Sequence, residues 1–415
     1  MKNAFIDLFA GCGGLSLGLE KAGFQPIYVN ELNQDALKTY TINRKEFPYL
    51  EDKRFYSNDI YEITSRPKKL IDLKKFLFSK FNIKDDELAL IVGGPPCQGY
   101  SGIGHRRTFK IQKKDIPSNH LYKEMVKFIK AFNPRCFIFE NVKGLLSSRW
   151  SLNGEKGEVF KDILKEFNKL KNYEINYELL HAKDYGVPQN RPRVVMVGIQ
   201  KKINFEKKED LLAHGLLPEK DKSYPSPYEL LSDLVDAKYL EKLITPKYKS
   251  DPKNEFQRKF RTKKNSKKIY LKGDNLYEME YSKHSAHIKK RFKYMIDNNG
   301  KITKKMKTKK FAQRLIHKNW GINGPNITTA SLPDDYVHFS QPRTLTVREW
   351  ARLQTFPDWY EFFGKRTTGG HRRAGKPFEN NWHREVPKYT QIGNAVPVEL
   401  AYRIGKHLKK IILKN

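Results

Sequence analysis

Ala4-Phe5-Ile6-Asp7-Leu8-Phe9-Ala10-Gly11-Cys12-Gly13-Gly14 begins as a short, largely apolar run and ends in a glycine turn. The run 4–9 reads as a strand buried on both faces, and the residues after the turn carry a helical pattern that ends near Gly23. A strand, a glycine turn and a helix let backbone come close to a bound nucleotide or nucleoside. Glu31 ends a second apolar run, 26–31, and lies twenty residues after Gly11, where an acid can accept both hydroxyls of a ribose. Asp59, within Ser57-Asn58-Asp59-Ile60, is a further acid able to meet an adenine amino group. Dinucleotide enzymes share this logic, so the stretch alone leaves the ligand open. No G-x-x-x-x-G-K-[ST] sequence is present, which excludes a phosphate-cradling ATPase loop.

Outward from this stretch the same rhythm continues. Runs 88–92, 136–140 and 193–199 are short and rich in Ile, Val and Phe. Leu121, Met125, Phe128, Ile129 and Phe132 fall at helix spacing, as do Phe160, Ile163, Leu164, Phe167 and Leu170. Strands alternating with helices predict an α/β fold on a mostly parallel sheet. The rhythm stops near Gln200. Between residues 201 and 325 there are 32 Lys and Arg against 15 Asp and Glu, an excess of 17 positive charges, which is half of the net +34 of the 415-residue chain. Tyr224, Tyr228, Tyr239, Tyr248, Phe256, Phe260, Tyr270, Tyr277, Tyr281, Phe292 and Tyr294 are interleaved with these cations. The segment reads as a separate basic domain that contacts a nucleic-acid backbone. Helical patterns resume at 346–354 and at 398–413, the latter placed to pack back on the first domain.

The remaining composition narrows the class. At 38% hydrophobic residues the chain has material for a real core. No stretch reaches the roughly 18 apolar residues of a membrane span, and the N-terminus runs into a strand without a signal-peptide core, so a cytoplasmic protein is expected. Cys12, Cys97 and Cys136 form no C-x-x-C pair, which gives neither a zinc site nor a disulfide framework. His284 and His287 have helical metal spacing but no third ligand nearby, and no metal is expected.

Three further clusters carry chemistry. Gly93-Gly94-Pro95-Pro96-Cys97-Gln98-Gly99-Tyr100-Ser101 follows the run 88–92 directly. Ligands of open parallel sheets bind beyond the carboxyl ends of the strands, and two prolines stiffen the approach to the thiol. Cys97 therefore suits a nucleophile better than a core residue. Phe139-Glu140-Asn141-Val142-Lys143-Gly144 places a carboxylate at another strand end, a candidate general acid, and Gln189-Asn190-Arg191-Pro192-Arg193 precedes a strand that brings Arg193 to the same crevice. The glycine-rich stretch 364–376 adds cations suited to phosphate contact.

With these clusters in this order, followed by Arg343-Thr344-Leu345-Thr346-Val347-Arg348-Glu349-Trp350-Ala351-Arg352-Leu353-Gln354 and Gln391-Ile392-Gly393-Asn394-Ala395-Val396-Pro397, the chain resembles the DNA cytosine-5 methyltransferases of prokaryotic restriction–modification systems. The resemblance implies a Rossmann-like S-adenosylmethionine-dependent domain, residues 1–200 plus 326–415, and a smaller target-recognition domain, residues 201–325. It implies Cys97 as nucleophile toward C6 of a cytosine flipped out of double-stranded DNA, with Glu140 at N3 and the amino group, Arg193 at the carbonyl oxygen, and Arg191 in the same catalytic set. For S-adenosylmethionine it implies Asp7, Phe9, Gly11, Gly13, Gly14, Leu15, Glu31, Leu32, Asp59, Ile60, Pro96, Leu121, Asn394, Ala395 and Val396. Phe9 would stack on the adenine, Glu31 hold the ribose and Asp59 bind the adenine amino group. For DNA it implies Gln98, Ser101, Arg106, Arg107 and Arg348, with the stretch 99–118 closing over the duplex. A monomer paired in function with a restriction endonuclease, without a stable complex, is the expected setting. Methylation of cytosine in transfer RNA, and a DNA-binding relative without catalysis, are the alternatives.

Overall fold

The computed structural model describes residues 1–96, 116–151, 153–203, 215–221, 223–307, 313–319, 325, 336–368 and 385–413. The first half alternates as the periodicity predicts: β1 (Ala4–Leu8), α1 (Gly14–Lys21), β2 (Gln25–Asn30), α2 (Gln34–Ile42), β3 (Tyr56–Ser57), α3 (Tyr61–Thr64), α4 (Pro67–Phe81), β4 (Leu90–Gly93), α5 (Tyr122–Phe132), β5 (Cys136–Val142), α6 (Glu158–Phe167), β6 (Tyr173–His181) and β7 (Pro192–Gln200). The seven strands form one sheet in the order β3-β2-β1-β4-β5-β7-β6. β3, β2, β1, β4 and β5 are parallel, whereas β7 runs antiparallel to β5 and β6 antiparallel to β7. The mostly parallel expectation thus holds for five strands, and the last two make the sheet mixed. β6 escaped the sequence reading because it is the outer strand. Only Tyr173 and Leu180 of its nine residues are buried, so it lacks the apolar run that marks its neighbours.

Register fixes where the chemistry must lie. Leu8 pairs with both Asn30 and Gly93, and Gly93 with Phe139, so the carboxyl ends of β1, β2, β4 and β5 share one edge. β7 arrives from the other direction and places Arg193 beside Val142 at that same edge. The order reverses between β1 and β4, where open sheets of this kind hold their ligands. Helices cover both faces. On one, α5 buries Met125, Phe128, Ile129 and Phe132 completely, each contributing about 1.5–3 kcal/mol. On the other, α1 packs against the C-terminal helix, and a Cβ on Gly18 would lie 2.4 Å from the Ala401 Cβ.

The later helices are α7 (Pro227–Leu231), α8 (Glu255–Arg261), α9 (Ala286–Asp297), α10 (Val347–Leu353), α11 (Lys388–Asn394) and α12 (Val398–Ile412). One apolar cluster takes Leu230, Tyr239, Tyr248, Phe260 and Tyr281 from the basic segment together with Tyr336, Trp350, Leu353 and Phe362. Side chains of the stretch 336–362 thus share one core with side chains of the basic segment. Five of the aromatics read as interleaved with cations, Tyr239, Tyr248, Phe260, Tyr281 and Phe292, are core side chains. A buried ionic cluster crosses the same seam. Arg352 pairs with Asp233 and Asp358 at 2.6 Å each, Arg261 with Asp233 at 2.7 Å, and the Tyr248 hydroxyl donates to Asp358 at 2.6 Å.

Arg348 corrects an expectation. It is fully buried, and its guanidinium donates to the carbonyls of Tyr277 (3.3 Å), Pro357 (3.1 Å) and Tyr360 (2.8 Å). α10 turns this cation inward, where backbone oxygens rather than DNA phosphates satisfy it.

Candidate active site

β1 ends at Leu8 and the chain turns sharply. Phe9 adopts φ 58° and Gly11 φ 56°, in the left-handed region where glycine is at ease and phenylalanine is strained. A Cβ on Gly11 would have no heavy atom within 4 Å, so the turn faces open space. Gly14 is required for contact instead: its Cβ would lie 2.4 Å from the Val396 carbonyl oxygen and 3.1 Å from the Ala395 Cβ. The two stretches named for the cofactor, nearly four hundred residues apart, meet there.

Glu31 is aimed by backbone. One carboxylate oxygen accepts from the Gly11 N–H and the other from the Asn33 N–H, both at 2.8 Å. Burial pushes its pKa up, and these two bonds oppose the shift. The Asn58 amide donates to the Glu31 carbonyl at 3.1 Å, which ties the β3 end to the β2 end. Leu32 is 71% exposed, Asp59 is exposed and accepts from the Tyr61 N–H at 2.9 Å, and Ile60 is buried beneath them. Phe9 and Leu121 are partly buried against the core, Leu15 is buried beside Val396, Pro96 is exposed, and Asn394 is exposed while Ala395 and Val396 are buried. This set offers apolar side chains, an aromatic ring and an oriented carboxylate around a turn that faces open space. It fits the nucleoside half of S-adenosylmethionine.

Asp7 lies behind the turn, buried, and accepts from the Ser16 hydroxyl, which contacts the Tyr40 hydroxyl at 2.9 Å. Burial raises its pKa to about 7, against the lowering pull of Ser16 and of Arg44. An unfolded aspartate ionises near 3.9, so between about pH 4 and 7 the folded protein holds a proton that the unfolded chain has lost. Stability from this group is therefore lost as pH rises through that window. Asp7→Asn keeps an oxygen for Ser16 and removes the titration. Between pH 5 and 8 the wild type is expected to lose roughly 3 °C of melting temperature from this source, and the variant close to none of it. Parallel pH profiles for the two proteins would remove Asp7 as the cause.

At the far end of the edge, Arg193 Nε donates to Glu140 at 2.7 Å, and both side chains are about nine-tenths buried. A Cβ on Gly94 would stand 2.9 Å from the second Glu140 oxygen, so glycine there lets the strand end pass over the carboxylate. Burial raises the Glu140 pKa, and Arg193 and Arg191 oppose this. The Asn141 amide donates to the Pro95 carbonyl at 3.2 Å, fixing the chain that leads out of β4. Arg191 is buried and donates to the carbonyls of Gly393 (2.5 Å) and Ala395 (3.1 Å), which makes it a brace between the two halves of the site. Cys97, Gln98, Ser101, Arg106 and Arg107 lie outside the described residues. Sequence reasoning missed Ser16, Tyr40, Arg44 and Tyr360, which sit inside ordinary helical or loop patterns and signal nothing until folded.

The family model described as C-5 cytosine-specific DNA methylase matches residues 3–410. The chain is 31% identical to the Type II methyltransferase M.DdeI of Desulfomicrobium norvegicum, over 97% of this chain and 88% of that protein. It is 30% identical to the Type II methyltransferase M.BspRI of Lysinibacillus sphaericus, over 97% and 80%. Among solved structures it shares its fold with a protein described as a DNA modification methyltransferase encoded within an Escherichia coli prophage, at a TM-score of 0.66 with 22% identity, covering 99% of both chains. The Entamoeba histolytica methyltransferase EhMeth also shares the fold, at a TM-score of 0.55 with 14% identity and all of both chains covered.

Proposed function

The chain belongs to the C-5 cytosine-specific DNA methylases, and we propose that it uses S-adenosylmethionine to methylate a cytosine flipped out of double-stranded DNA, with Cys97 as nucleophile. The observation that carries the residue assignment is the Glu140–Arg193 pair at 2.7 Å, set beside Gly94 on the strand end that leads into Pro95, Pro96 and Cys97.

Cytosine C5 is too weak a nucleophile to take a methyl group directly. Addition of the Cys97 thiolate at C6 turns the ring into an enamine, with electron density at C5. Glu140 shares a proton with N3 and accepts from the exocyclic amine, which offsets the negative charge that addition places on the ring. A raised pKa suits that task, since the carboxyl can hold its proton in the closed complex. Arg193 donates to the cytosine carbonyl oxygen and steadies the same charge. S-adenosylmethionine, when bound, supplies the methyl group from a sulfonium. Phe9 would hold its adenine by stacking, Glu31 would accept from the ribose hydroxyls, and Asp59 would accept from the adenine amine. After transfer C5 gives up its proton to a base, and the Cys97–C6 bond breaks to return the thiolate.

The basic segment supplies phosphate contacts whose binding energy offsets the few kcal/mol needed to unstack the target base. The relatives' designation as Type II methyltransferases supports the role of a modification enzyme, and we propose that the chain acts as a monomer, paired in function with a restriction endonuclease without a stable complex. No helix among the described residues is long and apolar enough to cross a membrane.

Purified protein incubated with labelled S-adenosylmethionine is expected to label unmethylated double-stranded DNA and to leave transfer RNA unlabelled. Bisulfite sequencing of the product then gives the site. Label confined to transfer RNA would overturn the DNA reading.

A further inference from the structure

The stretch from Gln354 to Tyr360 packs against the 11–14 turn and the 392–395 loop, and its hydrogen bonds are directed at their backbones. Gln354 is fully buried at the end of α10. Its amide donates to the carbonyls of Ile392 (2.7 Å) and Ala395 (3.2 Å), and its oxygen accepts from the Gln189 amide at 2.7 Å. Gln189 donates in turn to the Leu353 carbonyl at 2.7 Å. Thr355 holds the left-handed φ of 62°, costly for a β-branched residue, and its hydroxyl accepts from the Glu399 N–H at 2.9 Å at the start of α12. The Phe356 ring stands 3.2 Å from where a Gly14 Cβ would be. The Tyr360 hydroxyl donates to the Cys12 carbonyl at 2.5 Å and accepts from Arg44 at 3.2 Å, and Arg44 also donates to the Gly13 carbonyl at 3.1 Å.

A loop whose carbonyls accept hydrogen bonds from buried side chains is held in one backbone arrangement. Gln354 does this for the 392–395 backbone and Tyr360 for the 11–14 turn. The same stretch also faces the basic segment: the Asp358 N–H donates to the Phe260 carbonyl at 2.9 Å, and Arg352, just before Gln354, donates to the Leu230 carbonyl at 2.6 Å.

We propose that Gln354 and Tyr360 are positioning residues for the cofactor, holding its two flanking loops in register from the helix that carries the basic segment. This rests on the reading of 11–14 and 394–396 as the cofactor loops. Neither side chain needs to touch the cofactor. Each removes a degree of freedom that binding would otherwise have to freeze.

Tyr360→Phe deletes one oxygen and keeps the ring packing; Gln354→Met keeps the volume and deletes the amide. The probe is S-adenosylhomocysteine, titrated calorimetrically into each protein, with affinity for unmethylated duplex DNA measured separately without cofactor. Each substitution is expected to raise the S-adenosylhomocysteine Kd about fivefold, the scale of one net hydrogen bond. The KM for S-adenosylmethionine should rise with it, by more than kcat falls, while DNA affinity changes less than about twofold. A merely structural role would weaken DNA and cofactor together. Unchanged Kd in the Tyr360→Phe protein, or DNA affinity falling in step with cofactor affinity, overturns the proposal. Wild-type protein that binds no S-adenosylhomocysteine would overturn the cofactor reading beneath it, a different result. Tyr360→Phe carries the test alone if Gln354→Met does not fold.

Discussion

Cys97→Ser protein is expected to methylate DNA more than about a thousandfold more slowly than wild type, and to form no covalent adduct with DNA containing 5-fluorocytosine. Serine is nearly isosteric, but its hydroxyl is almost wholly un-ionised at neutral pH, whereas a thiol near pKa 8.5 is already a few per cent thiolate. The adduct experiment isolates the step. Fluorine at C5 cannot leave as a proton does, so a wild-type enzyme that has added at C6 and transferred its methyl group stays bonded to the base. Denaturing electrophoresis of protein with labelled duplex reads this directly. DNA affinity is expected to persist, because phosphate contacts carry most of it. An adduct that survives in the Cys97→Ser protein would take the role away from this residue.

Glu140→Gln is expected to lower kcat by about a hundredfold or more, in the range typical of a lost general acid, with cofactor affinity little changed. Glutamine preserves the size that Gly94 accommodates and can still accept from Arg193, yet its amide is too weak an acid to transfer a proton to N3. The direction of the Glu140 shift sets the pH signature. Its pKa is raised because burial outweighs the guanidinium of Arg193, so the protonated form extends to higher pH than in a free glutamate and is lost as pH rises through the raised value. Thiolate formation at Cys97 works in the opposite sense. Wild-type kcat should therefore rise and then fall with pH, and the Glu140→Gln profile should keep the rise and lose the fall. Single-turnover rates across the pH range measure it. A variant that retains the descending limb would assign that titration to another group.

The fold was legible where burial is two-sided. β1, β2, β4, β5 and β7 are covered by helices on both faces, so their sequences are mostly apolar and stood out as runs. β6 was not legible, because an exposed outer strand needs no such pattern. The placement of Glu31, Glu140 and Arg193 near one edge of the sheet was readable because register alone brings those strand ends together. Arg348 was misread because a helical sequence does not reveal which cations turn inward.

What the amino-acid order determined by itself is the alternation of strands and helices, and with it which candidate groups fall at the carboxyl ends of strands, since pleat and helix periods are local and repeat within a few residues. What only the folded chain decided is which distant groups share one buried space. Gly14 meets Val396, Tyr360 meets Cys12, and Arg352 holds both Asp233 and Asp358. Such partnerships depend on how layers stack and on which charge finds a counter-charge once water is excluded, and no local period encodes either.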